Sequence, residues 1–338
     1  MKITLVGFGN LGQALARVFL EKEDYLEDRV GFSPKIVAAV DIHGAAVDEE
    51  GLDIQELLDV VEEEGTVAKY PEKGKEGMSA LDVIENVESD MLVELTPTSI
   101  DDGEPGLTHI KEAMKNGQHV VTSNKGPLVV AFKELESLAE ESGIEFRYSA
   151  TVGGAVPVLG LAQKQLSGDR VSEIRGVLNG TTNYILTRMA DEGTPFDVVL
   201  HEAQELGAAE EDPTLDIEGI DTAAKITILA NALLDRDAKL EDVQVEGITR
   251  IGPDVLEMAK GTGNVVRLVG IANSEKLVVA PKLVPAGDPL AVKGTLNSVT
   301  LKTDLAREVT ISGFGAGPRE TSSALLGDIV DVYKSIED

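Results

Sequence analysis

The chain opens with a short apolar run, Lys2–Val6 (KITLV), that passes without a break into Gly7-Phe8-Gly9-Asn10-Leu11-Gly12. Gln13–Leu20 follows, with its apolar residues at helical spacing. A G-x-G-x-x-G turn between a strand and a helix is the fingerprint of a dinucleotide-binding βαβ unit. Gly7 permits the tight turn, Gly9 lets backbone approach a pyrophosphate, and Gly12 lets the helix pack close to the strand. Phe8, Asn10 and Leu11 complete the turn, and the helix N-terminus offers N–H groups to phosphates.

A second apolar run, Lys35–Val40, ends at Asp41. A carboxylate there commonly binds the ribose 2′-hydroxyl and repels a 2′-phosphate. Asp41 lies farther from Gly12 than usual because Glu21–Pro34 is a charged insertion. We expect NAD or NADP, leaning to NAD, with His43 and Lys69 as the residues able to reach a phosphate. Two further apolar runs end in small polar turns. Asp90–Leu95 is closed by Thr96-Pro97-Thr98, and His119–Thr122 by Ser123-Asn124-Lys125-Gly126. In an open parallel sheet, ligands sit at the carboxyl ends of the strands, which places Thr96 and Lys125 with cofactor and substrate.

The second half concentrates carboxylates. Glu210, Glu211, Asp212, Asp216, Glu218 and Asp221 precede a single lysine, Lys225, at the head of an apolar run. On a helix Asp221 and Lys225 share a face one turn apart, with Leu229 next along it. A lysine on so greasy a face needs an anionic partner or must shed its charge. Either makes it a candidate acid or base. Asn179-Gly180-Thr181-Thr182, after an apolar run at Ile174–Leu178, reads as an N-cap or an anion-binding helix end. The turn Val152-Gly153-Gly154-Ala155-Val156-Pro157 exposes carbonyls that bind a hard cation or simply cross between domains. Strands are expected over Lys276–Val284, Val292–Leu301 and Val309–Ser312, then a glycine turn and a helix over Ser322–Ile336.

Composition removes several chemistries. The 338 residues contain no cysteine, so there is no thiol nucleophile, disulfide or thiolate metal site. The histidines lack ligand spacing, and no G-x-S-x-G or G-x-x-x-x-G-K-[ST] motif occurs. With 60 acidic residues against 30 Lys plus Arg, the formal charge is −30. Such a surface argues against nucleic acid and anionic membranes as partners. No apolar run approaches the roughly 18–20 residues needed to span a bilayer, and the chain starts directly in a strand, so we expect a cytoplasmic protein.

These motifs together resemble homoserine dehydrogenase over nearly the whole chain. The residues that carry the likeness are GFGNLG, TSNKGPL, ATVGGAVPV, GVLNGTTNYIL, ELGAAEEDPTLDIEGIDTAAK and GFGAG…LLGDI. The resemblance implies interconversion of L-homoserine and L-aspartate 4-semialdehyde with NAD(P), in threonine and methionine biosynthesis. It implies an α/β fold: an N-terminal Rossmann-type doubly wound parallel sheet, an α+β substrate-binding and dimerisation domain, and a C-terminal helix returning to the first domain. The limits expected are 1–148 with 318–338, and 149–317. Site roles are implied likewise. Gly7, Phe8, Gly9, Asn10, Leu11, Gly12, Asp41, Thr96, Lys125, Gly207, Gly315 and Gly317 hold cofactor. Glu210, Asp216, Asp221, Gly180 and Thr181 hold the amino acid. Lys225 and Lys125, with Asp221, are catalytic, and the residues alone do not decide which lysine gives the proton. The carbonyls of Val152, Gly154 and Val156 match a monovalent-cation site, but Ser149 replaces a common glutamate ligand. Ala208 and Glu320 also depart from the usual aromatic and proline. A homodimer through the late strands is implied, and no appended amino-acid-sensing domain is expected. The competing readings are an aspartate dehydrogenase type of oxidoreductase and a non-catalytic dinucleotide sensor.

The charge generates a prediction of its own. Self-repulsion at this density is relieved by screening, so we expect a halophilic protein adapted to concentrated salt, the alternative being an ordinary acidic cytosolic enzyme. Activity and melting temperature should both rise from dilute buffer to molar KCl. Full activity and an unchanged melting temperature in dilute buffer would contradict the adaptation to concentrated salt.

Overall fold

The computed structural model describes residues 1–337, and the chain divides into two compact units. Unit 1 is Met1–Thr151 with Gly317–Asp338, and unit 2 is Val152–Ala316. The division thus falls after Thr151 and Ala316, slightly inside the expected limits.

Unit 1 is built on a seven-stranded sheet. Its elements run β1 (Lys2–Val6), α1 (Asn10–Val30), β2 (Lys35–Asp41), β3 (Gly44–Val47), α2 (Ile54–Glu64), β4 (Gly74–Glu76), α3 (Ala80–Asn86), β5 (Met91–Glu94), α4 (Gly106–Lys115), β6 (His119–Thr122), α5 (Lys125–Ser142) and β7 (Phe146–Arg147). The strand order is β4-β3-β2-β1-β5-β6-β7. From β2 to β7 every pairing is parallel. Helices cover such strands on both faces, so Ile36–Val40 and Met91–Glu94 are buried without alternation. The order reverses between β1 and β5, which is the switch point where ligands of such sheets bind.

Beyond β2 the chain turns back through β3 and β4, which pair antiparallel at that end of the sheet. Gly44–Val47 is too short and too rich in alanine to announce a strand. The closing helix Pro318–Glu337 lays Leu325, Ile329 and Val332 into the unit 1 core, beside Leu15, Phe19 and Leu26 of α1.

Unit 2 holds a six-stranded sheet in the order β13-β12-β8-β10-β11-β9. In chain order its elements are α6 (Val158–Gly160), β8 (Val171–Val177), α7 (Gly180–Glu192), α8 (Phe196–Glu205), α9 (Thr214–Ile217), α10 (Ile220–Leu234), β9 (Gln244–Val245), α11 (Pro253–Gly261), β10 (Asn264–Asn273), β11 (Leu277–Pro285), β12 (Leu296–Thr303) and β13 (Glu308–Phe314). Strand β10 and helix α11 were not among the expected elements, yet β10 pairs with both β8 and β11 at the centre of the sheet. Strand β12 starts at Leu296 rather than Val292, because Gly294 turns the chain with φ +63°. Helix α10 is almost wholly buried from Thr222 to Asn231, which accounts for its apolar composition.

Within unit 1 one buried carboxylate gives a stability test. Asp328, on the closing helix, accepts the Ser149 amide at 2.8 Å. Burial raises its pKa from 3.8 to about 6, although the hydrogen bonds from Ser149 oppose the shift. The folded chain therefore holds a proton that the unfolded chain releases between about pH 4 and pH 6. This cost is absent below that window and complete above it. Asp328→Asn should be stabilised relative to the parent by on the order of 1–3 kcal/mol more at pH 8 than at pH 4, read from denaturant midpoints. A difference independent of pH would contradict the assignment.

Candidate functional site

In unit 1 the glycine turn is set by close approach. Gly7 has φ +98°, and a Cβ there would lie 2.7 Å from the Leu95 carbonyl at the end of β5. A Cβ on Gly12 would lie 2.7 Å from the Gly7 carbonyl oxygen. Gly9 is different, since its missing side chain faces open space with nothing within 4 Å. Neither a capping side chain nor an acidic residue occupies the first turn of α1. The turn therefore keeps a cradle and helix-terminal N–H groups that fit a pyrophosphate. Asn10 and Leu11 form the first turn of that helix. The Phe8 amide donates to the Val40 carbonyl at 2.8 Å and its ring is buried in the core. Phe8 thereby shapes the turn.

Asp41 ends β2 as expected, but its carboxylate already serves the chain. It accepts from the His43 amide at 2.8 Å, the Thr66 hydroxyl at 3.1 Å and the Val67 amide at 2.8 Å. Three of roughly four lone-pair sites are thus occupied, leaving room for about one ribose hydroxyl. Lys69 forms an ion pair with Glu76, which commits it away from a phosphate.

Thr96 follows β5 at the switch point. Its amide donates to Glu94 at 3.0 Å, and its hydroxyl is also bound there. Glu94 is fully buried and accepts from the Thr122 hydroxyl at 3.3 Å, with His109 Nδ1 at 3.7 Å. Asn124 donates to the Thr96 hydroxyl at 3.3 Å and caps α5 through the Gly126 amide at 3.1 Å. Sequence reasoning passed over this network. Its one signal was an acid closing the apolar run Asp90–Leu95, a poor place for a charge unless it organises donors. The network fixes the ends of β5 and β6, and Lys125 follows as the first residue of α5, half-buried. A cation at a helix N-terminus works against the helix dipole, so its reason for being there is not helix stability.

In unit 2 the carboxylate stretch closes around Lys225. That residue is 8% exposed. Its Nζ donates to Asp221 Oδ2 at 2.6 Å and to the Leu178 carbonyl at 2.7 Å. An ammonium has three N–H donors, and the third has no partner among the described residues. Asn179 donates to Asp221 Oδ2 at 2.9 Å and to Asp216 Oδ1 at 2.6 Å. Its own Oδ1 caps α7 through the Thr182 amide at 2.9 Å. Asn179 thus joins two carboxylates, of which Asp221 bonds the ammonium, so the cluster carries a formal charge of one negative in excess.

The other expected residues divide. Gly180 opens α7, close against the Thr295 carbonyl. Thr181 donates to the Ala208 carbonyl at 3.0 Å, tying the Glu210 loop to α7. Glu210 is exposed, and Gln204 holds its backbone carbonyl at 3.2 Å. Gly207 ends α8 with φ +70°. Gly315 has a structural reason to lack a side chain, because a Cβ there would overlap the Asn297 amide. That amide donates to the Leu178 carbonyl at 3.0 Å, the same oxygen that receives Lys225. Gly317, in unit 1, has φ +124° and would collide with Glu320 if it carried a Cβ.

The turn matched to a cation site offers backbone carbonyls alone. Gly153 and Gly154 take positive φ, and the Val156 carbonyl accepts the Val158 amide at 2.8 Å. Among the described residues no cluster of three or more His, Asp or Glu could hold a metal. Val152, Gly154 and Val156 offer only carbonyls, and Ser149 offers its amide to Asp328. No helix among the described residues is long and apolar enough to cross a membrane.

The Asn179 clamp can be separated from the Asn179 cap. Serine is an equally good N-cap but cannot reach two carboxylates. Asn179→Ser should therefore melt near the parent temperature while kcat/KM for the amino-acid substrate falls at least about 10-fold. Unchanged kinetics would show that the clamp is dispensable.

Comparison with known proteins supplies the remaining evidence of kinship. The family profile described as Homoserine dehydrogenase matches residues 157–330. That of Glutamate/Leucine/Phenylalanine/Valine dehydrogenase matches residues 1–100. The homoserine dehydrogenase of Methanocaldococcus jannaschii is 50% identical over 335 residues, covering 99% of both chains. The NAD(+)-dependent homoserine dehydrogenase of Pseudomonas canavaninivorans is 36% identical, covering 99% of this chain and 96% of its own. Among solved structures, one from Archaeoglobus fulgidus, provisionally named homoserine dehydrogenase, aligns with TM-score 0.92 and 41% identity over 98% and 99% of the two chains. A hyperthermophilic archaeal homoserine dehydrogenase in complex with NADPH aligns with TM-score 0.86 and 29% identity over 99% and 98%.

Proposed function

This chain belongs to the homoserine dehydrogenase family and is an NAD(P)-dependent oxidoreductase, and from that premise we propose how its residues divide the reaction. The observation that carries the reading is the Asp216–Asn179–Asp221–Lys225 cluster. Its excess negative charge suits the ammonium of an amino-acid substrate, by charge-assisted hydrogen bonds. Glu210, on the loop tied to α7 by Thr181, adds a second carboxylate arm for that ammonium.

The dinucleotide, when bound, supplies or removes the hydride at the substrate carbon. The protein's part is charge and proton. As the aldehyde oxygen gains negative charge, the uncommitted N–H of Lys225 stabilises it and passes the proton. Asp221 and the Leu178 carbonyl hold the other two N–H groups, so the ammonium is oriented before substrate arrives. Lys125, following the Glu94 network at the end of β6, is assigned to the dinucleotide. Gly7, Gly9 and Gly12 fit the pyrophosphate, and Thr96 fixes the end of β5 beneath it. We further propose a preference for NAD, supported by Asp41 at the end of β2 and by the commitment of Lys69 to Glu76. No step runs through a cation at Val152–Val156. A homodimer through the late strands completes the proposal, and sedimentation velocity in high salt checks it.

NAD(P) reduction should require L-homoserine and should not occur with L-aspartate. Lys225→Met should lower kcat at least about 10²-fold with a smaller change in KM. Near-normal turnover would exclude Lys225 as the acid. Reduction supported by L-aspartate would favour the aspartate dehydrogenase reading.

A further inference from the structure

Away from the cluster around Lys225, unit 2 contains a cavity of about 130 Å³ where α7, α11 and the start of β10 come together. Its charged lining opposes the character of the rest of the chain. Arg267, Lys260 and Lys293 face it against a single carboxylate, Asp191. The whole protein has twice as many acids as bases, 60 against 30.

Arg267 is the least expected residue in it. It is 1% exposed and is the largest fully buried side chain among the described residues. Buried arginines are normally paired with a carboxylate. This one forms no ion pair among the described residues. Its Nε donates to the Val292 carbonyl at 2.7 Å, and one Nη1 hydrogen goes to the Val266 carbonyl at 2.7 Å. Those bonds use two of the five guanidinium donors, leaving three uncommitted. Burial draws its pKa down to about 10, against the opposing influence of Asp191, so it is charged at neutral pH. Asp191 does not neutralise it, since Lys293 Nζ holds both carboxylate oxygens at 3.0 and 3.1 Å. Lys260 is exposed and has no ion-pair partner among the described residues.

An uncompensated buried charge is costly unless a counter-ion arrives. The space holds about four water volumes, the size of a small oxyanion. Its remaining walls include Ala190, Leu256 and Val265, which offer a carbon chain a dry surface. We propose that this cavity binds a small oxyanion, held by the free edge of the Arg267 fork with Lys260 and Lys293 beside it. The chemistry is shared by inorganic phosphate and a short carboxylate. The site does not depend on the catalytic reading, because none of its residues belongs to the Lys225 cluster.

The test uses the full chain with saturating NAD, so that the glycine turn is already taken. Phosphate, and separately acetate, is titrated against chloride at matched ionic strength, with heat of binding and melting temperature as readouts. The expected result is saturable binding of either anion and a melting temperature that rises with its concentration. The Lys260→Met/Lys293→Met double variant, altered only at the cavity's lysines, should bind at least 10-fold more weakly. Arg267→Lys, which keeps the charge but loses the fork, should also bind more weakly. No saturable effect beyond chloride would overturn the site. Binding of equal strength in the parent and the double variant would overturn it as well.

Discussion

The ion pair between Lys225 and Asp221 is the interaction around which unit 2 is arranged. A lysine this deeply buried is tolerable only with its charge matched and its donors occupied. Removing either partner of such a pair typically costs about 3–5 kcal/mol. Helix α10 supplies both groups one turn apart, and the end of β8 supplies the Leu178 carbonyl. Asn179 then joins Asp221 to Asp216 while capping α7. Asn297 shares the Leu178 carbonyl, and Gly315 must be bare to let Asn297 stand there. One ammonium thus ties together β8, α7, α10 and β12. What remains over is one negative charge and one N–H, which is what an amino acid with a reducible carbonyl requires.

Unit 1 solves a different problem with the same economy. A dinucleotide needs backbone close by and side chains out of the way. Gly7 and Gly12 are glycine because neighbouring carbonyls would strike a Cβ, and Gly9 leaves open space where a side chain would stand. Glu94 then pins Thr96 and Thr122, so the strand ends are rigid where Lys125 begins α5. A fully buried carboxylate would be a liability on its own. Surrounded by two threonines and His109, it sets the shape of the switch point.

What was legible in the sequence was local. The glycine turn, the apolar runs that became β1, β2, β5 and β6, and the Asp221–Lys225 spacing all act over a few residues. The parts that were not legible depend on distant contacts. Asn179 meets Asp216 and Asp221 from 37 and 42 residues away, and no spacing announces that. The amide of Phe8 is consumed by Val40 of the neighbouring strand, which a motif cannot reveal. Asp41 looks like a ribose ligand, yet it also fastens Thr66 and Val67 of the loop before β4. Strand β10 was invisible because it is buried in the middle of its sheet, where an apolar run carries no period. Its Arg267 breaks that run for a reason seen only in three dimensions.

The central claim is that a primary ammonium held at position 225 delivers the proton. Chemical rescue reaches it most directly. In Lys225→Ala, whose fold is verified by melting, reduction of L-aspartate 4-semialdehyde should be nearly lost and then restored saturably by added ethylammonium. Tetramethylammonium, which has no proton to give, should not restore it. Rescue by both cations alike, or by neither in a folded variant, would contradict the role assigned to Lys225.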